Sequence, residues 1–157
     1  MATNLKPKQA SAKGRLAGGQ EYIYAVGRRK TAVARVRLYV KTAKVMADQK
    51  SQIVINGKSS EAYFPDKTSQ VQLWEPLRTS NTADKFTATI KVEGGGKRGQ
   101  LGAVIHGLSR AIVKADSEAY RKILKSQGFL TRDPRMRERR KIGTGGKARR
   151  QKQSPKR

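Results

Sequence analysis

The sequence predicts a single α+β domain, a small mixed sheet packed with helices, carried between extended basic tails. Three observations lead there. Apolar and polar residues alternate at 33–40 and again at 85–93, the period of a half-buried strand. Over 99–114 the apolar spacing lengthens to that of a helix. The positive charge is concentrated in the last 27 residues, where apolar side chains are scarce.

Taken in order, residues 1–20 hold four Lys or Arg and no acid, and read as a flexible basic extension. They lack the apolar stretch of a secretory signal. A transit peptide to an organelle is the less favoured reading, because the segment is short and poor in Ser and Arg. The globular domain is expected over 21–130. It opens with a strand-like run at 22–26 and a basic turn, Gly27-Arg28-Arg29-Lys30. In the strand at 33–40, Ala34, Val36, Leu38 and Val40 form one face; Arg35, Arg37 and Tyr39 form the other. The apolar run 52–55 stops at Asn56-Gly57, a turn dipeptide. A short helix is expected over 68–74, capped by Thr68 and ending before Pro76. Phe86, Ala88, Ile90 and Val92 point inward from the next strand.

Glu93-Gly94-Gly95-Gly96-Lys97-Arg98-Gly99-Gln100 then leads into the long helix. Its apolar stripe is Leu101, Val104, Ile105, Leu108, Ala111 and Ile112. Asp116 is placed to cap a last helix that buries Tyr120, Ile123 and Leu124 and ends at Gly128. Residues 131–157 hold 12 cations, two acids, and only Met136, Ile142 and Ala148 as apolar side chains. That segment cannot bury enough surface to offset the entropy of ordering it, so an extended tail follows.

Composition narrows the function. The chain has 157 residues and a net charge of +25, so self-repulsion weakens the isolated fold and a polyanion relieves it. Nucleic acid fits that role. A membrane surface fits poorly, since no long amphipathic basic helix appears and no apolar run approaches the roughly 20 residues that span a bilayer. The absence of Cys excludes disulfides and thiolate metal sites and is compatible with the cytosol.

Each reactive-looking group has a plain structural alternative. Arg28, Arg29 and Lys30 form either a solvated turn or a phosphate clamp. Arg35 and Arg37 on the following strand extend a cationic surface and favour RNA. The glycine loop is not a Walker loop, because Arg98 follows Gly96-Lys97 where Ser or Thr is needed. Gly94, Gly96 and Gly99 match a dinucleotide fingerprint in spacing only, with no βαβ context expected ahead of them. A backbone phosphate near Lys97 and Arg98 is the more economical ligand. His106 is the only histidine; without Cys or an orienting partner it suggests neither zinc nor a general base. Trp74 and Phe86 read as core. Tyr39 and Tyr63 are placed to stack on bases, although so few aromatics argue against sequence-specific reading. No paired acids suggest hydrolysis, and neither a cofactor nor a small-molecule substrate is expected.

From about Tyr22 onward the segments resemble one family, the ninth protein of the small ribosomal subunit, in its bacterial-type form. The most specific stretch is Gly94-Gly95-Gly96-x-x-Gly99-Gln100-x-x-Ala103, followed by His106-Gly107-Leu108-Ser109-Arg110-Ala111. Tyr24-Ala25-Val26-Gly27-Arg28-Arg29-Lys30-Thr31-Ala32, Ile55-Asn56-Gly57-Lys58 with Tyr63-Phe64, and Gly128-Phe129-Leu130-Thr131-Arg132-Asp133 resemble it too. The resemblance implies a domain of the type found second in ribosomal protein S-five. It implies rRNA of the subunit head and its neighbouring proteins as partners, in the ribosome of the cytoplasm or, less expected, of an organelle. It further implies that the tail reaches towards the tRNA of the peptidyl site, with Lys156 and Arg157 nearest to it.

The residues expected on rRNA are Arg28, Arg29, Lys30, Arg35, Arg37, Lys97, Arg98 and Arg110 in the domain. In the tail they are Arg132, Arg135, Arg139, Arg140, Lys141, Lys147, Arg149 and Arg150. Three features depart from the family pattern: residues 1–20 extend the start, Gly143-Thr144-Gly145-Gly146 replaces a bulkier run, and Pro155 interrupts the end. Two other readings compete. An architectural DNA-binding protein explains the charge but not the glycine-loop pattern. An enzyme holding a phosphorylated substrate on that loop lacks a nucleophile and base.

Overall fold

The computed structural model describes residues 13–15, 21–40 and 53–139. Among them, six strands form one mixed sheet: β1 Lys13–Arg15, β2 Glu21–Arg29, β3 Ala32–Val40, β4 Ile53–Ile55, β5 Lys58–Ser59 and β6 Phe86–Glu93. The order across the sheet is β1-β2-β3-β6-β4-β5, with β4 and β6 parallel and every other neighbouring pair antiparallel. The helices are α1 Ser60–Tyr63, α2 Lys67–Thr79, α3 Lys97–Ala115 and α4 Ser117–Ser126. The α+β expectation holds. Within residues 1–20, Lys13–Arg15 pairs with Glu21 to Ile23.

The core lies between the inner face of the sheet and the helices. Ala25, Ala34, Val36, Leu38, Ile53, Ile55, Ala88, Ile90 and Val92 meet Leu101, Val104, Leu108 and Ile112 of α3 there. Period-two alternation on β3 and β6 and the helical stripe on α3 thus face each other, as binary patterning requires. Asn56 and Gly57 both take positive φ, 49° and 79°, which a tight hairpin between β4 and β5 needs. Asp116 caps α4 by accepting from the Glu118 and Ala119 amides.

Several local expectations are corrected. Arg28 and Arg29 lie in β2, which is longer than expected; only Lys30, with φ 50°, sits in the turn. Tyr39 is 7% exposed and Val40 57%, the reverse of the simple alternation. Tyr39 does lie on the side of Arg35 and Arg37, but the Tyr22 ring packs 6.1 Å from its own and Thr89 Oγ1 donates to its hydroxyl. Val40 pairs with Phe86 at the margin of the sheet. The helix expected at 68–74 runs from Lys67 to Thr79, capped by Asp66, whose Oδ2 accepts from the Ser69 amide and hydroxyl. It passes through Pro76, which is buried with Leu73 and Leu77; tertiary burial there outweighs one missing backbone bond. On α4, Leu124 is fully buried but Ile123 is 42% exposed. Trp74 is half-buried, packed against the core.

Candidate nucleic-acid interface

Three groups of cations can be separated, beginning with those at the seam of α3 and β2. Gly27 and Gly107 let the two backbones touch: a Cβ on Gly27 would stand 1.9 Å from the Ala103 carbonyl oxygen. Among the described residues, β1 covers β2 only at 21–23, and no described strand lies along that edge at 24, 26 and 28. Side chains of α3 supply bonds there. His106 Nδ1 accepts from the Arg28 amide at 3.3 Å, an Arg110 guanidinium nitrogen donates to the Val26 carbonyl, and Lys114 Nζ donates to the Tyr24 carbonyl at 2.9 Å. Four helical residues rise about 6.0 Å and two strand residues about 6.7 Å, so the rungs stay in step. Burial, then Arg110, pushes the His106 imidazole below the ordinary histidine value. It is therefore neutral and free to accept at neutral pH.

The second group lies at the pole where the β2–β3 turn meets the glycine loop. Gly94 and Gly95 take φ of 74° and 63°, and a Cβ on Gly94 would stand 2.7 Å from the Thr31 carbonyl oxygen. Gln100 fixes the loop: its Nε2 donates to the Gly94 carbonyl, and its Oε1 accepts from the Tyr63 hydroxyl at 2.8 Å. Gly96 caps α3 with no side-chain bond. Lys30 and Arg98 are exposed here. Lys97 folds back instead. Its ammonium sits 3.9 Å from the Tyr63 ring centre and donates to the Tyr63 carbonyl. Tyr63, expected to be available for stacking, is thus engaged within the chain, and Tyr39 is covered.

One expectation about this loop needs amending. A parallel strand–helix–strand unit, β4–α2–β6, does precede it. The dinucleotide reading still fails, since α3 leads to α4 and not to a further parallel strand.

The third group occupies the outer sheet face. Arg28, Arg35, Arg37 and Lys91 are exposed there around the half-buried Tyr24. A shallow groove crosses this face between Tyr24, Arg35, Arg37, Val54, Thr89 and Lys91. Glu93 lies 3.9 Å from Arg35 and 3.4 Å from Lys91, and Arg37 lies over the Tyr22 ring at 5.2 Å. These contacts are half-exposed and weak, so the cations keep most of their reach.

The start of the tail adds a fourth arrangement. Asp133 accepts from the Arg135 amide and guanidinium, and Arg29 approaches it at 3.6 Å. Hydrogen bonding by Arg135 holds the Asp133 carboxyl far below the usual carboxylate range. Arg132, Arg135 and Arg139 are exposed. Arg140, Lys141, Lys147, Arg149, Arg150, Lys156 and Arg157 lie outside the described residues. Of the expected site residues, then, Arg28, Lys30, Arg35, Arg37 and Arg98 are gathered on one face and its adjoining pole. Arg29, Lys97 and Arg110 are committed to contacts inside the chain. Sequence reasoning missed Lys114, Lys91 and the seam role of His106. The one signal that pointed to the seam was the i, i+4, i+8 spacing of His106, Arg110 and Lys114.

Among the described residues, no group of three or more His, Cys, Asp or Glu is placed to hold a metal, and no helix is long and apolar enough to cross a membrane. Residues 27–157 match the family model described as ribosomal protein S9/S16. The chain is 46% identical over 127 residues to the small ribosomal subunit protein uS9 of Maridesulfovibrio salexigens, an alignment covering 81% of this chain and 91% of that protein. Both the glycine-loop pattern and the basic face are thereby placed in one context: the chain belongs to the ribosomal protein S9/S16 family and is a structural constituent of the ribosome, not an enzyme.

Proposed function

We propose that the chain binds rRNA in the head of the small subunit through its outer sheet face and adjoining pole, and extends its C-terminal tail towards tRNA in the peptidyl site. The observation that carries the first part is the gathering of exposed Arg28, Lys30, Arg35, Arg37, Lys91 and Arg98 on a surface that no described helix covers. Such cations contact phosphates and position the protein without reading sequence. The pole adds the start of α3, where the Gly96 cap offers no side chain and the amides favour an anion. The domain then docks beside other head proteins in the cytoplasmic ribosome.

The second part is supported by the tail's composition and by the family resemblance. Its 27 residues reach on the order of 90 Å if extended at about 3.3 Å each. Lys156 and Arg157 end it. Two experiments separate the parts. Replacing Arg28, Arg35 and Arg37 together with Ala should flatten the log–log salt slope of rRNA binding by about two to three units, at roughly 0.7–0.9 per phosphate contact. An unchanged slope removes the sheet face from the interface. Deleting Lys156 and Arg157 should leave subunit assembly intact and modestly lower tRNA retention in the peptidyl site. Failed assembly with normal tRNA affinity in the surviving particles makes the tail end a scaffold element instead.

A further inference from the structure

We infer that Arg29 and Asp133 form a mooring that fixes where, and in which direction, the C-terminal tail leaves the body. The inference rests on the proposed role of the tail only for its destination; the mooring itself follows from contacts in the domain. After α4 the chain turns back at Gly128, and Phe129 and Leu130 pack against the core. The Leu130 backbone lies beside His106 of α3. Three residues on, Asp133 meets Arg29, whose side chain crosses α3 at Gly102. The segment therefore runs back along α3, from the level of His106 to that of Gly102, towards the pole where α3 begins. It is held at both ends of that short path.

Arg29 is built into this position. A Cβ on residue 102 would fall 2.2 Å from Arg29 Cδ, so the glycine makes the groove in which the side chain lies. Arg29 Nε is buried there with no hydrogen-bond partner among the described residues, and the Nη2 end faces Asp133 Oδ2 at 3.6 Å. Arg29 is laid along a helix and ends at the root of the tail, whereas Arg35 and Arg37 stand on the outer face. Asp133 in turn binds Arg135 through the amide, Nε and Nη2, which fixes the chain direction across residues 133–135. Asp133 and Glu138 are the only acids from residue 131 onward, and Asp133 is the one positioned to join a strongly cationic tail to an already cationic body. Without its carboxylate, Arg29 and Arg135 would repel each other at the point of departure.

The chain has no cysteine, so a single introduced one carries a probe uniquely. Subunits are reconstituted with full-length protein bearing an iron chelate at Ser154→Cys in the tail or at Ser117→Cys on the body, and hydroxyl-radical cleavage of the rRNA is mapped. Asp133→Asn and Arg29→Met are then introduced; the Met retains an apolar stem over Gly102 and removes the charge. Cleavage from the tail probe should spread, losing about two- to fivefold at its strongest nucleotides, the range over which an exposed ion pair shifts a population. Cleavage from the body probe should stay as in the parent, and Arg29→Lys should restore most of the tail pattern. An unchanged tail pattern in both variants overturns the mooring. Equal disturbance of body and tail patterns also overturns it, since the pair would then be holding the domain together. If the parent tail probe cleaves away from the peptidyl site, the proposed destination fails, while the comparison of parent and variants still decides the mooring.

Discussion

Arg110 and Arg35 are the same side chain with opposite fates. At the seam, Arg110 and Lys114 end on backbone carbonyls of β2; on the outer face, Arg35 and Arg37 end half in water. The difference lies in what each neighbouring surface lacks. Beyond residue 23 no described strand lies along the β2 edge, and two of its carbonyls take donors from α3. The sheet face has its backbone paired between strands, and no described element covers it. A basic protein therefore divides its cations between those that complete its own fold and those left for a partner. Net charge alone overstates the second class.

The comparison breaks most completely if the seam cannot form. Gly27→Ala forces a methyl group into the Ala103 carbonyl, and should cost about 3 kcal/mol or more. Denaturant unfolding would report it as a lowered midpoint with little change in slope. A loss under about 0.5 kcal/mol, the range of ordinary surface substitutions, means that α3 and β2 are not in the close contact described.

A smaller effect sharpens the division. Arg110→Met should cost roughly 0.5–1 kcal/mol of stability, because its bond is exposed, and should leave the salt slope of rRNA binding nearly unchanged. Arg35→Ala should do the reverse: stability within about 0.5 kcal/mol of the parent, and a slope flatter by roughly one unit. Paired melting and filter-binding measurements decide the matter, and the same outcome for both variants would erase the distinction.

The smallest effect concerns pH. His106 accepts the Arg28 amide only while Nδ1 is unprotonated, and it faces the cations of Arg110 and Arg132 and the backbone of Arg28 and Leu130. Its folded value is depressed below the unfolded one. The stability it contributes is therefore present above the ordinary histidine value and is lost as pH falls through the folded value. Unfolding midpoints compared between pH 7.5 and 5.5 should fall more in the parent than in His106→Gln, about the ~6.5 reference value. Equal falls would mean that this rung is not made.

Much of the fold was legible because one physical rule governs each legible part. β3, β6 and α3 follow from periodicity; the Asn56-Gly57 turn and the Asp116 cap follow from residue chemistry. Pro76 misled because a local steric preference was weighed without the burial of Leu73 and Leu77 that overrides it. Tyr39 misled because its cover comes from Tyr22, across the hairpin, which alternation along one strand cannot reveal. The candidate site was legible as a set of cations but not as a partition. Whether Arg29 lies along Gly102 or points at a phosphate depends on where α3 and residue 133 arrive, and neither is local to residue 29.

The ladder of His106, Arg110 and Lys114 also matters before any RNA is present. A newly made copy waits in solution with a sheet edge that would otherwise invite a second chain to add a strand. β1 covers β2 over 21–23, and the three side chains occupy that edge at residues 24, 26 and 28. Two of the three rungs are cations, so the protection also repels any approaching copy of the same basic protein. Two donors and one acceptor, all on one face of α3, thus blunt the edge by occupying the groups that an incoming strand would need.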